Sequence, residues 1–151
     1  MDVLFVTGLN NLVRGHKVES MMRDYDFMVK FAHHQAYKNH RESPNTCAIA
    51  KLYYPPQLCW FPDKGPVPQG FVDHRQDMLY LNREIERLNF ESGIKVPNFP
   101  VLGVRSHKGK ESHRYEHWRE PDFRSMLHMA DKERVKMGRQ VNRFFEFETG
   151  N

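Results

Sequence analysis

Apolar positions along this chain follow two periods in turn. The run Asp2-Val3-Leu4-Phe5-Val6-Thr7 is nearly continuous in apolar character and closes at Gly8, the pattern of a short buried β-strand. From Val18 the spacing changes. Val18, Met21, Met22, Tyr25, Met28, Val29 and Ala32 recur at three-, four- and seven-residue intervals, which predicts an amphipathic helix ending before Ser43-Pro44-Asn45. Thr46-Cys47-Ala48-Ile49-Ala50-Lys51-Leu52 is a second apolar run bounded by turn residues and predicts a second strand. Between Tyr54 and Gly70, Pro55, Pro56, Pro62, Pro66 and Pro68 remove backbone donors and fix φ, so this stretch is a long irregular loop. Loops of such length are often functional or face a partner. Met78, Leu81, Ile85 and Leu88 mark a second amphipathic helix closed by Ser92-Gly93. Asn98 to Val104 is a third strand candidate, and Arg105 to Arg124 is polar, rich in histidine and without a period. Asp131 is placed to cap a last helix carrying Val135, Val141, Phe144 and Phe145.

Strands alternating with helices of this length require right-handed crossovers and a parallel sheet. The expected architecture is therefore α/β, one domain over residues 1–151, with a small parallel sheet of about three strands covered by helices. The 151 residues, 39% of them hydrophobic and 11 of them Phe, suffice for one modest core. A mean hydropathy of −0.76 and 28% charged residues lie at the polar end of the globular range. Marginal stability follows, as expected if core-facing surface is completed by another segment. A net charge of +4 spread among acidic neighbours permits nucleic-acid binding without forming a basic block. Cys47 and Cys59 have no C-x-x-C spacing, so no disulfide framework or cysteine zinc site is expected, and a reducing interior fits. Without a signal-like leader or an apolar run of membrane-spanning length, a soluble, cytoplasmic, membrane-free protein is the expectation.

Candidate chemistry begins where the first strand ends. Gly8-Leu9-Asn10-Asn11 sets a side-chain amide at the carboxyl edge of a sheet, where α/β proteins assemble ligand sites. Much later comes Ser125-Met126-Leu127-His128, just before the last helix. In this order, and with Tyr80-Leu81-Asn82 and Leu88-Asn89 between them, these segments resemble the second half of an SGNH (GDSL-type) hydrolase. That family has a flavodoxin-like fold and contains many esterases. Gly8-Leu9-Asn10-Asn11 is similar to its Gly-x-Asn-Asp motif, with Asn11 in place of Asp, and Ser125 to His128 is similar to its Asp-x-x-His motif, with Ser125 in place of Asp. The resemblance implies that Asn10 donates to an oxyanion beside Gly8 and that His128 is the general base of a serine esterase. It also implies that the Gly-Asp-Ser nucleophile motif lies upstream of the Gly-x-Asn strand. None of Ser20, Ser43, Ser92, Ser106, Ser112 and Ser125 follows Gly-Asp. The chain is therefore expected to be the carboxyl-terminal portion of such a domain, catalytically incomplete or inactive by itself.

Other readings stay open beside that one. Asn10 is also an ordinary turn residue, since Asn tolerates left-handed backbone, and His128 also fits a loop histidine packed on Leu127 or Phe144. His113 and His117 have the i, i+4 spacing of a zinc pair, but the intervening residues do not form His-Glu-x-x-His and no third ligand has a motif spacing. Neither metal nor cofactor is expected. Tyr54, Trp60 and Phe61, in the proline-rich loop, are candidates for substrate or partner contact. Arg105, Lys108, Lys110, Arg114, Arg119 and Arg124, with Tyr115 and Trp118 for stacking, carry the alternative of weak nucleic-acid binding on a degenerate SGNH fold. A third reading is a protein-interaction module whose exposed sheet edge pairs with another chain or an upstream segment that supplies the missing strands.

Overall fold

A computed structural model of the chain describes residues 2–39, 46–61, 65–93, 104–113 and 127–149. In chain order the elements are β1 (Asp2–Phe5), α1 (Leu9–Val13), α2 (Val18–Lys38), β2 (Thr46–Ile49), α3 (Arg75–Glu91), β3 (Val104–His107), β4 (Lys110–His113) and α4 (Asp131–Thr149). β1 and β2 pair in parallel, with Asp2 opposite Thr46 and Phe5 opposite Ile49. The fold is thus mixed α/β with a small open parallel sheet of two strands and helices around it.

The helical stripes read from the sequence are the faces that build the core. Val18, Met21 and Tyr25 of α2 and Met78, Leu81 and Ile85 of α3 are buried in one cluster with Leu12, Ile49, Leu52, Leu58 and Cys59. The proline-rich segment is irregular, as expected, but it is not a loose flap. Pro55 and Pro56 are buried, and the Pro55 carbonyl accepts from the amides of Leu58 and Cys59 at 3.0 and 3.1 Å. Phe61, 1% exposed, lies under the Arg75 guanidinium at 4.9 Å from its ring centre.

Helix α3 also does the work of a strand. The Ala50 amide donates to the Phe5 carbonyl at 2.9 Å, so the Ile49 amide and carbonyl point to the other side of β2. Asn89, buried at 2% exposure, meets both: the Ile49 N–H donates to Asn89 Oδ1 at 3.0 Å, and Asn89 Nδ2 donates to the Ile49 carbonyl at 2.8 Å. Two turns earlier on α3, Asn82 repeats the pattern. Its Oδ1 accepts from the Leu52 amide at 2.7 Å and its Nδ2 donates to the Leu52 carbonyl at 2.9 Å. Residues seven apart share a helix face, so one stripe of α3 supplies apolar packing and two side-chain amides that satisfy backbone groups beyond the sheet's hydrogen bonds.

Three features differ from the pattern-based reading. The third strand expected over Asn98 to Val104 falls mainly on residues outside the described ones, and Val104 instead opens an antiparallel hairpin with β4. Lys108 and Gly109, at φ 50 and 76, form its turn, and positive φ at both central positions matches the right-handed twist of a hairpin. Finally, Asp131 lies inside the first turn of α4, since the amides of Glu133 and Arg134 bond back to the Ala130 carbonyl. It pairs with Arg134. On the same helix Glu133 is turned inward at 3% exposure, while Val135, one residue of the expected stripe, is 55% exposed. Among the described residues no helix is long and apolar enough to cross a membrane.

Candidate functional site

The backbone after β1 leaves the sheet at Gly8, whose φ of 126 is open to glycine and strained for other residues. A Cβ at this position would run into the Tyr25 hydroxyl. That hydroxyl donates to the Thr7 carbonyl at 3.0 Å, fixing the turn from below. Burial, with a smaller contribution from Asp24, pushes the Tyr25 phenol up to about 12, so it stays a donor throughout the neutral range. The Leu12 amide then bonds to the Gly8 carbonyl at 3.1 Å and starts α1. Asn10 stands exposed in the first turn of this short helix, beyond the carboxyl end of β1. Asn11, where the resembled motif carries Asp, is turned to His16, its Nδ2 3.0 Å from the ring Nδ1.

The segment leading into α4 comes back to the same edge. Leu127 packs against the core cluster, and its carbonyl accepts from the Tyr53 hydroxyl at 3.4 Å. Burial raises the Tyr53 phenol, which keeps its proton at neutral pH. Met129, 4% exposed, holds the next residues down. His128, between these two anchors, is exposed.

Asn10 and His128 line one cleft of about 210 Å³. Gly8 contributes to its wall, Val6, Leu9 and Leu52 to its apolar lining, and Lys51 and Tyr53 enter from the end of β2. The cleft therefore sits at the carboxyl ends of both parallel strands, the edge where open α/β sheets bind ligands. The two residues singled out in sequence, far apart along the chain, are brought together there.

Tyr54, Trp60 and Phe61 lie elsewhere. The Tyr54 hydroxyl accepts from Asn82 Nδ2 at 3.3 Å. The Trp60 ring packs edge-on to Phe71 at 5.5 Å and donates to the Gly65 carbonyl at 3.0 Å. Phe61 is in the core. Their neighbour Tyr53 takes the place in the cleft. Ser125 and His117 lie outside the described residues, and Asp131 is paired with Arg134. Among the described residues no group of three or more His, Cys, Asp or Glu side chains is arranged to hold a metal.

Lys51, Tyr53 and Thr7 were not singled out in the sequence. The rule that marked Asn10, a polar residue where an apolar strand run ends, applies equally to Lys51 at the end of the second run. No family model, curated protein or solved structure matches the chain.

Proposed function

We propose that this chain forms the oxyanion-donor and base side of an acyl-ester hydrolase site of the SGNH type, in a flavodoxin-like sheet completed by residues from outside this sequence. The observation that carries the reading is the shared cleft of Asn10 and His128 at the carboxyl ends of β1 and β2. Two further features support it. Asn10 is on the first turn after a glycine-bound chain reversal that Tyr25 holds in place, so its amide starts from a fixed backbone. And β1 has β2 as its one neighbour in the sheet among the described residues, which leaves its other edge for an additional strand.

In this site the Asn10 Nδ2 donates to the oxygen on which negative charge develops when an ester carbonyl is attacked, a contribution of about 10²–10³ in kcat for one such donor. His128 accepts the proton of the attacking hydroxyl and returns it to the leaving alcohol. The hydroxyl itself is not on this chain, whose serines all lack a preceding Gly-Asp. By itself the chain is accordingly a binding half-site with no acylation step. It is completed by an upstream segment or a protein partner that pairs with β1 and brings the nucleophile.

The test is hydrolysis of p-nitrophenyl acetate by the native-length product isolated from its source, and by its His128→Ala variant. The expected result is turnover that a fluorophosphonate abolishes and that His128→Ala lowers by about 10²–10⁴-fold. Absence of hydrolysis by the native product, or hydrolysis indifferent to His128, would overturn the reading.

A further inference from the structure

The charge on the described lining of this cleft is of one sign. Lys51, its side chain 23% exposed, lies within the lining beside Asn10, Thr7, Tyr53 and His128, and none of the described lining residues is acidic. Among the described residues the acid that faces Lys51 is Glu86 on α3, at 3.8 Å and with 65% of its side chain exposed, a contact too long for a hydrogen bond. Surface pairs of this kind are weak. A partly desolvated cation with an exposed, distant counter-charge favours a ligand that supplies the missing anion, because charge-assisted bonds strengthen as water is excluded. The remaining wall is apolar: Val6, Leu9, Leu52, Leu127 and Met137. At about 210 Å³ the space is below the roughly 300 Å³ at which drug-sized ligand pockets begin, so the ligand is small.

We infer that the cleft binds a short aliphatic carboxylate, its chain against the apolar wall and its anion on Lys51. This rests on the proposed hydrolase reading in one respect: there the carboxylate belongs to the ester substrate, at the end away from the bond cleaved, and Lys51 sets specificity. Binding itself needs no nucleophile and is measurable on the chain as it stands.

The probe is butyrate, compared with its uncharged isostere butyramide, titrated into the ¹⁵N-labelled chain. The expected result is that butyrate shifts the amides of residues 6–10, 51–53 and 127–128, with an affinity about tenfold above that of butyramide. Added salt weakens butyrate and leaves butyramide unchanged. Lys51→Met, checked for an unaltered melting transition, removes the preference, while Glu86→Gln keeps or strengthens it. Equal binding of the two probes, no shifts at the cleft, or a preference that survives Lys51→Met would overturn the inference. Failure here leaves the hydrolase reading standing, since p-nitrophenyl acetate is uncharged, and a failed hydrolysis assay leaves the butyrate result intact.

Discussion

The first ninety-odd residues and the last forty-odd are held in different ways. Among the described residues, all eleven buried members of the main core cluster fall between Leu12 and Ile85. There two strands, α2, α3 and the proline-rich loop share one apolar interior, and side-chain amides close the backbone bonds that the sheet leaves over. The described part of the carboxyl-terminal region is a hairpin and α4, and it reaches that interior through Leu127 as a partly buried neighbour. On α4 a carboxylate, Glu133, is buried against Lys136 at 3.2 Å, and Gln140 Oε1 is buried without a partner among the described residues. The candidate site straddles this divide. Asn10 is delivered by the region that holds the described core, and His128 by the segment that Leu127 and Met129 anchor.

The contrast predicts a steep asymmetry in mutational cost. Leu81→Ala, which empties a fully buried position of the core, should lower unfolding free energy by about 2–5 kcal/mol in urea titrations. The formally similar Val135→Ala on α4 should stay within about 0.5 kcal/mol. Comparable losses at the two positions would break the comparison.

A smaller but more specific effect is expected at Asn89. Its replacement by Ala leaves the Ile49 amide and carbonyl buried and unpaired, at a cost of about 1–3 kcal/mol. Amide exchange should then accelerate selectively at Ile49, while α4 is untouched. Uniform acceleration across both regions would mean that they unfold as one unit.

The smallest effect is a pH dependence confined to the first region. The folded chain holds the Tyr25 proton more tightly than the unfolded chain, whose phenol titrates near 10.0, so the contribution is complete below pH 10 and is lost as pH rises towards about 12. Tyr25→Phe should flatten that alkaline limb and also cost about 1 kcal/mol at neutral pH through the lost bond to the Thr7 carbonyl. An alkaline limb unchanged in the variant would place its origin in another group.

How much of this was legible in the sequence divides along the same line. Helices α2 and α3 and both parallel strands could be read because burial imposes a period on apolar residues, and Val18, Met21, Tyr25, Met78, Leu81 and Ile85 keep it. The hairpin could not, because Val-Arg-Ser-His and Lys-Glu-Ser-His carry no apolar alternation and the turn pair Lys108-Gly109 was its one local cue. On α4 the apolar pattern missed Glu133, a buried carboxylate at a position it assigns to solvent, and counted the exposed Val135 as inward. Asn82 and Asn89 stood out in sequence, yet their two-pronged bonds to Leu52 and Ile49 are long-range facts that no local pattern carries. For the site, strand-end position marked Asn10 and reaches Lys51 on the same argument. His128 was reached through resemblance alone, since a histidine before a helix has no distinguishing period.

Nuclear Overhauser contacts in the isotope-labelled chain show whether the amide of Asn10 and the imidazole of His128 face one cleft. Contacts from the Leu127 methyls and the His128 ring to residues 6–10 and 51–53, persisting in Val135→Ala, are the expected result. A His128 ring with no contact to those residues, beside an otherwise intact core, would contradict it.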